Sequence, residues 1–140
     1  MAKRKICNVL VVEDHAGIRT VLADALKTEG YDFTLMDSAG DVGGVLDRGG
    51  HDVVVIDLPL EHGDGFALAD AAREAGVGVV LTSGDQRLTP RVERSGHRHI
   101  RKPFMLEQLL PLIDDVLREL AARCVRRRAA PDAPRRAARR

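Results

Sequence analysis

The segment DVVVIDLPLEHGDG, residues 52–65, joins a run of β-branched residues to an acidic residue. Its β-branched run, residues 53–56, is typical of a strand that is covered on both faces of a sheet. An acidic residue, Asp57, then stands where this strand should end. Burying an unpaired carboxylate costs several kcal/mol. Asp57 therefore requires either a structural partner or a chemical role.

Strand-like and helix-like segments alternate along the chain. Short apolar segments predict five strands, within KICNVLVVED, YDFTLMDSA, DVVVID, VGVVLTSG and RHIR. The segments that follow them predict five helices, within HAGIRTVLADALKTEG, DVGGVLDRGGH, FALADAAREAG, DQRLTPRVERSGH and FMLEQLLPLIDDVLRELAARCV. Right-handed connections between such strands give a parallel sheet with helices on both faces. The sequence therefore predicts an α/β fold.

Several of these segments contain features that weaken a regular element. YDFTLMDSA alternates weakly, as an edge strand does, and Gly43 and Gly44 each disfavour the second helix by about 1 kcal/mol relative to alanine. DQRLTPRVERSGH has only two sizeable apolar residues around Pro90, so we expect a short or mobile fourth helix. Pro111 should kink the last helix or mark a new start.

The composition is that of one ordinary soluble domain. The chain has 140 residues, of which 44% are hydrophobic and 31% charged. No apolar stretch approaches the roughly 20 residues of a membrane helix, and no cleavage site follows the basic start, so we expect a cytoplasmic protein with no membrane segment. Cys7 and Cys124 lack the spacing of a zinc site or a disulfide framework, and we expect reduced thiols.

The net charge of +1 is unevenly distributed. Residues 123–140 contain eight arginines and one acid, a net charge of +7, so residues 1–122 carry −6. The last 18 residues are rich in alanine and proline and too few to bury a core. We therefore predict a folded domain over residues 1–122 and a basic, disordered tail over residues 123–140. The tail could dock on an acidic partner or on nucleic acid through phosphate contacts. It lacks aromatic residues and any recognition motif, so a nucleic-acid partner is not expected.

Charged and polar residues stand at the carboxyl ends of four predicted strands. Glu13 and Asp14 end the first, Asp57 the third and Thr82 the fourth, and Lys102 follows the fifth. In a parallel sheet these ends share one edge, where ligands bind. Three carboxylates at one place repel each other unless a cation lies among them. Mg²⁺ suits this set, because it takes oxygen ligands and keeps several waters.

A magnesium ion at this edge would allow phosphoryl chemistry. Asp57 could attack a phosphoryl group and form an acyl phosphate, while Thr82 and Lys102 bind its oxygens. Each residue also has a simpler explanation when taken alone. The acidic pair can cap the first helix, Thr82 can be an ordinary strand residue, and Lys102 can be one surface lysine among others. Their coincidence at one sheet edge favours the phosphoryl site.

The segments LVVED, VVVIDLPLEHGDG, VVLTSG and IRKPF, in this order and spacing, resemble the signature segments of response-regulator receiver domains from two-component signalling. The resemblance spans about residues 5–122. It implies a flavodoxin-like, doubly wound sheet of order 2-1-3-4-5. It also implies a role for each site residue: phosphoacceptor for Asp57, Mg²⁺ ligands for Glu13 and Asp14, switch hydroxyl for Thr82 and invariant lysine for Lys102.

The same resemblance assigns three further positions. The backbone carbonyl of Pro59 would complete the Mg²⁺ site, and the Lys102–Pro103 peptide would be cis. His99 departs from the family, which usually has Tyr or Phe three residues before the lysine, in a side chain that swings inward with the threonine. Because imidazole is smaller and polar, with a pKa near neutrality, we expect weaker or pH-sensitive coupling to the outer face, or a His99 that merely packs at a strand end.

Because the last 18 residues are too few to form an effector domain, we expect a stand-alone receiver. The resemblance implies that it accepts a phosphoryl group from a histidine kinase or phosphotransfer protein, and either signals by contact with an unknown downstream protein or relays the phosphate onward. A phosphorylation-independent adaptor remains open as an alternative. A hydrolase with an aspartyl nucleophile usually has a second acid two residues later, where this chain has Pro59, so we do not expect an enzyme. His15, His62 and His97 fall in or beside predicted loops, and we expect them to be solvated.

Overall fold

The computed structural model describes residues 7–37, 42–60 and 63–129. A five-stranded parallel sheet of order β2-β1-β3-β4-β5 forms its centre, which confirms the predicted flavodoxin-like α/β fold. The strands are β1 (Asn8–Val12), β2 (Asp32–Met36), β3 (Val53–Leu58), β4 (Gly78–Ser83) and β5 (Arg98–Arg101). The helices are α1 (Ala16–Thr28), α2 (Val42–Asp47), α3 (Gly65–Glu74), α4 (Thr89–Arg94) and α5 (Leu106–Ala129), and a 3₁₀ turn, Gln86–Leu88, precedes α4.

Both faces of the sheet are covered, because successive strand residues point to opposite sides. The apolar residues of one face pack with α2, α3 and α4, and those of the other face pack with α1 and α5. The first layer includes Leu10, Val12, Val54, Ile56, Leu58, Val79 and Leu81. The second includes Val9, Val11, Val53, Val55 and Val80. The near-continuous apolar strands of the sequence are thus explained by burial on both sides.

The segments whose sequence disfavours a regular element form an edge strand and two short helices, as predicted. β2 lies at one edge of the sheet, and α2 and α4 have only six residues each. Pro90 stands in the first turn of α4, where proline is tolerated. Pro111 lies inside α5, which is one helix of 24 residues. The expectation of a new helix start at Pro111 is therefore wrong.

Helix α5 extends beyond the predicted end of the domain. It continues to Ala129, seven residues past the boundary placed after Ala122. Residues 130–140 lie outside the described residues, so the division into domain and tail stays a prediction. No helix in the described ranges is both long and apolar enough to cross a membrane.

Cys7 is a free, buried thiol directly before β1. Burial, followed by the charges of Asp52 and Asp114, raises the pKa of Cys7 to about 11. The side chain therefore stays protonated at neutral pH, as expected of a reduced thiol that packs in the core.

The close packing of α5 on β4 can be tested at Gly78. A Cβ atom at Gly78 would collide with Val116 and crowd Leu120. We predict that Gly78→Ala lowers the free energy of unfolding by about 1–3 kcal/mol through overpacking. A Cβ atom at Gly43 meets no atom within 4 Å, so Gly43→Ala should raise the same quantity by about 0.5–1 kcal/mol. Urea unfolding measures both changes, and a neutral Gly78→Ala would contradict this packing.

Candidate functional site

Asp57 lies near the end of β3, directly opposite Thr82 of β4. Side-chain alternation places both residues on the face of the sheet that α1 and α5 cover. The Thr82 hydroxyl donates a hydrogen bond to Asp57 Oδ1 at 3.2 Å. The ammonium of Lys102 lies 2.8 Å from the same oxygen. The structure therefore brings the predicted phosphoacceptor, hydroxyl and lysine into direct contact.

Glu13, the first residue after β1, is almost fully buried beside this group. Its Oε2 accepts a hydrogen bond from Lys102 Nζ at 3.2 Å, and its Oε1 accepts one from the backbone N–H of His15 at 3.2 Å. Burial and then the charge of Asp57 raise the pKa of Glu13 above its ordinary value, although Lys102 acts in the opposite direction. The ionised form of Glu13 would thus gain from a further positive charge.

Lys102 forms an ion-pair bridge between the two carboxylates. Burial disfavours its charged form, but the hydrogen bond to Asp57 and the charges of Asp57 and Glu13 outweigh burial and raise the pKa of Lys102. The ammonium therefore stays charged across the neutral range. Lys102 is thus no ordinary surface lysine, since its side chain is only 22% exposed and forms ion pairs with both Glu13 and Asp57.

The acidic pair does not cap α1, so that simpler explanation is wrong. The helix is capped by His15, whose Nδ1 accepts a hydrogen bond from the backbone N–H of Ile18 at 3.2 Å. His15 is exposed, as predicted. Glu13 uses its carboxylate on His15 and Lys102 instead, which keeps it at the sheet edge.

Arg19 belongs to the site and was missed by sequence reasoning. One guanidinium nitrogen, Nη1, donates to the carbonyl oxygens of Glu13 at 2.7 Å and Asp14 at 2.9 Å. The sequence shows only a cation early in α1. The partners of this cation are backbone atoms, which leave no side-chain signature, so no pattern in the sequence indicates the contact.

His97 contradicts the prediction of a solvated histidine. It is 5% exposed. Its Nε2 lies 2.9 Å from Asp70 Oδ1, and its Nδ1 lies 3.1 Å from Arg73 Nη2. Because a guanidinium can only donate, Nδ1 accepts and Nε2–H donates to Asp70. His97 therefore joins α3 to the segment before β5, while His62 lies outside the described residues.

His99 is exposed on β5. It pairs with Leu81 of the neighbouring strand β4. Leu81 and Thr82 are successive residues that point to opposite faces, so the His99 side chain lies on the opposite face of the sheet from Thr82. Its Nδ1–H donates to the carbonyl oxygen of His97 at 3.1 Å. The ring thus points away from the site, and its role as a switch stays a prediction.

Two proline peptides near the site are cis. Lys102–Pro103 confirms the prediction, whereas Leu58–Pro59 was not predicted. The assignment of the Pro59 carbonyl to a metal stays a prediction.

The donor set fits Mg²⁺. In the described part of the chain, no three or more His, Cys, Asp or Glu side chains form a ready-made metal cage. Mg²⁺ does not require one, because it binds through few carboxylates and keeps its waters. Glu13, Asp14 and Asp57 offer the hard oxygen atoms that Mg²⁺ prefers. Lys102 neutralises only one of the two charges that it bridges.

Comparison with known proteins identifies the family of this domain. The family model for the response regulator receiver domain matches residues 9–114. The chain belongs to the response regulator receiver domain family. The receiver domain protein (CheY-like) from Methanospirillum hungatei JF-1 has the same fold, with a TM-score of 0.75 and 21% identity over 85% of this chain and 99% of that chain.

Two curated relatives are more similar in sequence. Swarming motility regulation protein RssB of Serratia marcescens is 30% identical over 119 residues, which cover 81% of this receiver chain and 54% of RssB. Transcriptional regulatory protein PdtaR of Mycobacterium tuberculosis is 34% identical over 113 residues, which cover 76% of this chain and 54% of PdtaR. The chain thus spans about half the length of these relatives.

The ion-pair bridge of this receiver domain can be tested without any ligand. We predict that Lys102→Met lowers the free energy of unfolding by about 1–3 kcal/mol in EDTA at pH 7, because Glu13 and Asp57 then lie close together without the ammonium. Lys27→Met, at an exposed position of α1, should change it by less than about 0.5 kcal/mol. Urea unfolding of both variants compares them, and equal stabilities would show that the bridge is not stabilising.

Proposed function

We propose that this receiver domain accepts a phosphoryl group on Asp57, in a Mg²⁺-dependent reaction, from a histidine kinase or histidine phosphotransfer protein. It then signals by contact with another protein. The observation that carries the proposal is the convergence of Lys102 Nζ and Thr82 Oγ1 on Asp57 Oδ1, at 2.8 and 3.2 Å. A hydroxyl and an ammonium beside one carboxylate supply the electrostatic environment that phosphoryl transfer requires.

Asp57 acts as the nucleophile in this scheme. No hydrogen bond among the described residues reaches its Oδ2, whereas Oδ1 accepts from Thr82 and Lys102. Oδ2 attacks the phosphorus of a phosphohistidine, so that an O–P bond forms and the N–P bond breaks. The electron pair of the N–P bond goes to the leaving imidazole, which takes up a proton from solvent. Thr82 and Lys102 then bind oxygens of the phosphoryl group.

Glu13, Asp14, Asp57 and the backbone carbonyl of Pro59 would hold the magnesium ion. Bound Mg²⁺ screens the negative charges of the carboxylate and the incoming phosphoryl group. The raised pKa of Glu13 supports this assignment, because the buried carboxylate is only partly compensated by Lys102. Asp14, the neighbouring residue, adds one more hard oxygen donor.

An apolar groove beside the phosphoacceptor supports a protein as the phosphodonor. The groove has a volume of about 520 Å³ and lies between α1 and the connection from β5 to α5. Lys102 forms part of its wall, and Val21, which is 53% exposed, lies in it. A small phosphodonor needs no such surface, whereas exposed apolar area is typical of a protein interface. The remaining apolar lining consists of Ile18, Leu22, Pro103, Phe104 and Leu106.

The relatives favour regulation over hydrolysis. Their names describe control of swarming motility and of transcription, so we assign this chain a signalling role. A phosphorylation-independent adaptor is the second candidate. His99 favours the adaptor. Its ring is exposed and hydrogen-bonded to the carbonyl oxygen of His97, so the outer face of the sheet can bind a partner without phosphorylation of Asp57.

Intact mass measurement separates the two candidates. Incubation with acetyl phosphate and Mg²⁺ should add one phosphate to the native protein, and EDTA should prevent this addition. Asp57→Asn should abolish it because the nucleophile is lost, whereas Asp47→Asn, at an exposed acid of α2, should leave it unchanged. A native protein that gains no phosphate with Mg²⁺ would favour the adaptor and refute the proposal.

The groove predicts a difference between protein and small-molecule phosphodonors. Val21→Glu should slow phosphotransfer from the fastest histidine kinase in a panel by about tenfold or more, because a charge then enters the apolar contact. Its phosphorylation by acetyl phosphate should stay unchanged. Ala71→Glu, at an exposed position of α3, is the matched control. Equal kinase rates for the native protein and Val21→Glu would exclude the groove as the docking surface.

A further inference from the structure

We propose that Arg19 is a positioning residue of the magnesium site, which fixes the backbone that carries Glu13 and Asp14. This inference rests on the proposed Mg²⁺-dependent phosphorylation. Nη1 of Arg19 donates to both carbonyl oxygens, at 2.7 and 2.9 Å. Arg19 lies in the first turn of α1, and the two acids directly follow β1. The contact therefore ties the start of the helix to the end of the strand.

Separate hydrogen bonds hold different atoms of the loop between β1 and α1, which contains Glu13 and Asp14. The backbone N–H of Glu13 donates to the carbonyl of Met36 at 3.0 Å, which anchors the loop to β2. The backbone N–H of His15 donates to Glu13 Oε1 and orients that carboxylate. Arg19 holds the carbonyls of two successive residues. It therefore restrains the two peptide planes that follow Glu13 and Asp14.

Arg19 affects a bound cation in two opposite ways. Its positive charge repels Mg²⁺, whereas its hydrogen bonds pre-organise the ligands before the metal binds. Screening weakens the repulsion, because Arg19 is partly exposed. Groups that hold metal ligands in place typically change metal affinity by about 10- to 100-fold. We infer that positioning outweighs repulsion, so that loss of Arg19 weakens magnesium binding.

The opposite signs of the two effects give a direct test. The full chain is titrated with Mg²⁺ after removal of divalent ions, and binding is followed by backbone amide NMR shifts. Arg19→Ala and Arg19→Lys should both bind Mg²⁺ about tenfold more weakly, because a lysine keeps the charge but its shorter side chain does not reach the point where Nη1 meets both carbonyls. Arg94→Ala removes an exposed charge from α4 and should leave the affinity unchanged.

Each alternative has its own result. If Arg19 acts only through its charge, Arg19→Ala will bind Mg²⁺ more tightly and Arg19→Lys will match the native protein, which would overturn the inference. Unchanged affinity in both variants would also overturn it. A native protein that shows no magnesium binding at all would instead refute the proposed function.

A metal-free measurement separates positioning from general destabilisation. In EDTA, amide hydrogen exchange of residues 13–15 should be faster in Arg19→Ala and Arg19→Lys, while exchange in β3 and β4 stays as in the native protein. The Mg²⁺ concentration for half-maximal phosphorylation should rise with the dissociation constant, and the rate at saturating Mg²⁺ should stay close to that of the native protein. Uniformly faster exchange would indicate a merely structural role and contradict the inference.

Discussion

The ion-pair bridge from Lys102 to Asp57 and Glu13 is the interaction on which the site depends. It joins the ends of β1, β3 and β5 around a single ammonium. Like-charged carboxylates in a half-buried space repel each other, so the sheet edge can hold them only with a cation between them. The same lysine also lines the apolar groove against α1. One side chain therefore links the charge balance of this edge with the proposed chemistry of Asp57 and the proposed docking groove.

The fold supplies the convergence that this bridge requires. Parallel strands of order 2-1-3-4-5 bring the carboxyl ends of β1, β3 and β4 side by side, and the direct pairing of Asp57 with Thr82 follows from the register of β3 and β4. The apolar layers on both faces fix that register. The strand register, set by these layers, therefore places Asp57 and Thr82 opposite each other at the sheet edge.

Much of this arrangement could be predicted from sequence. Strand ends in a parallel sheet share one edge, so the order of elements alone places Asp57, Thr82 and Lys102 together. The positions of Arg19 and His97 could not be predicted in this way. Arg19 binds backbone carbonyls, and the burial of His97 depends on side chains of α3 that lie more than 20 residues away in the chain. Such contacts depend on the packing of helices against loops, which local patterns do not encode.

Beryllofluoride binding is the sharpest test of a phosphoryl site at Asp57, because BeF₃⁻ mimics a phosphoryl group on a carboxylate. The native protein, beryllofluoride and Mg²⁺ together should give ¹⁹F NMR signals of bound fluoride. No such signals should appear without Mg²⁺ or in Asp57→Asn. Bound signals that persist in Asp57→Asn, or none in the folded native protein at saturating Mg²⁺, would contradict a phosphoryl site at Asp57.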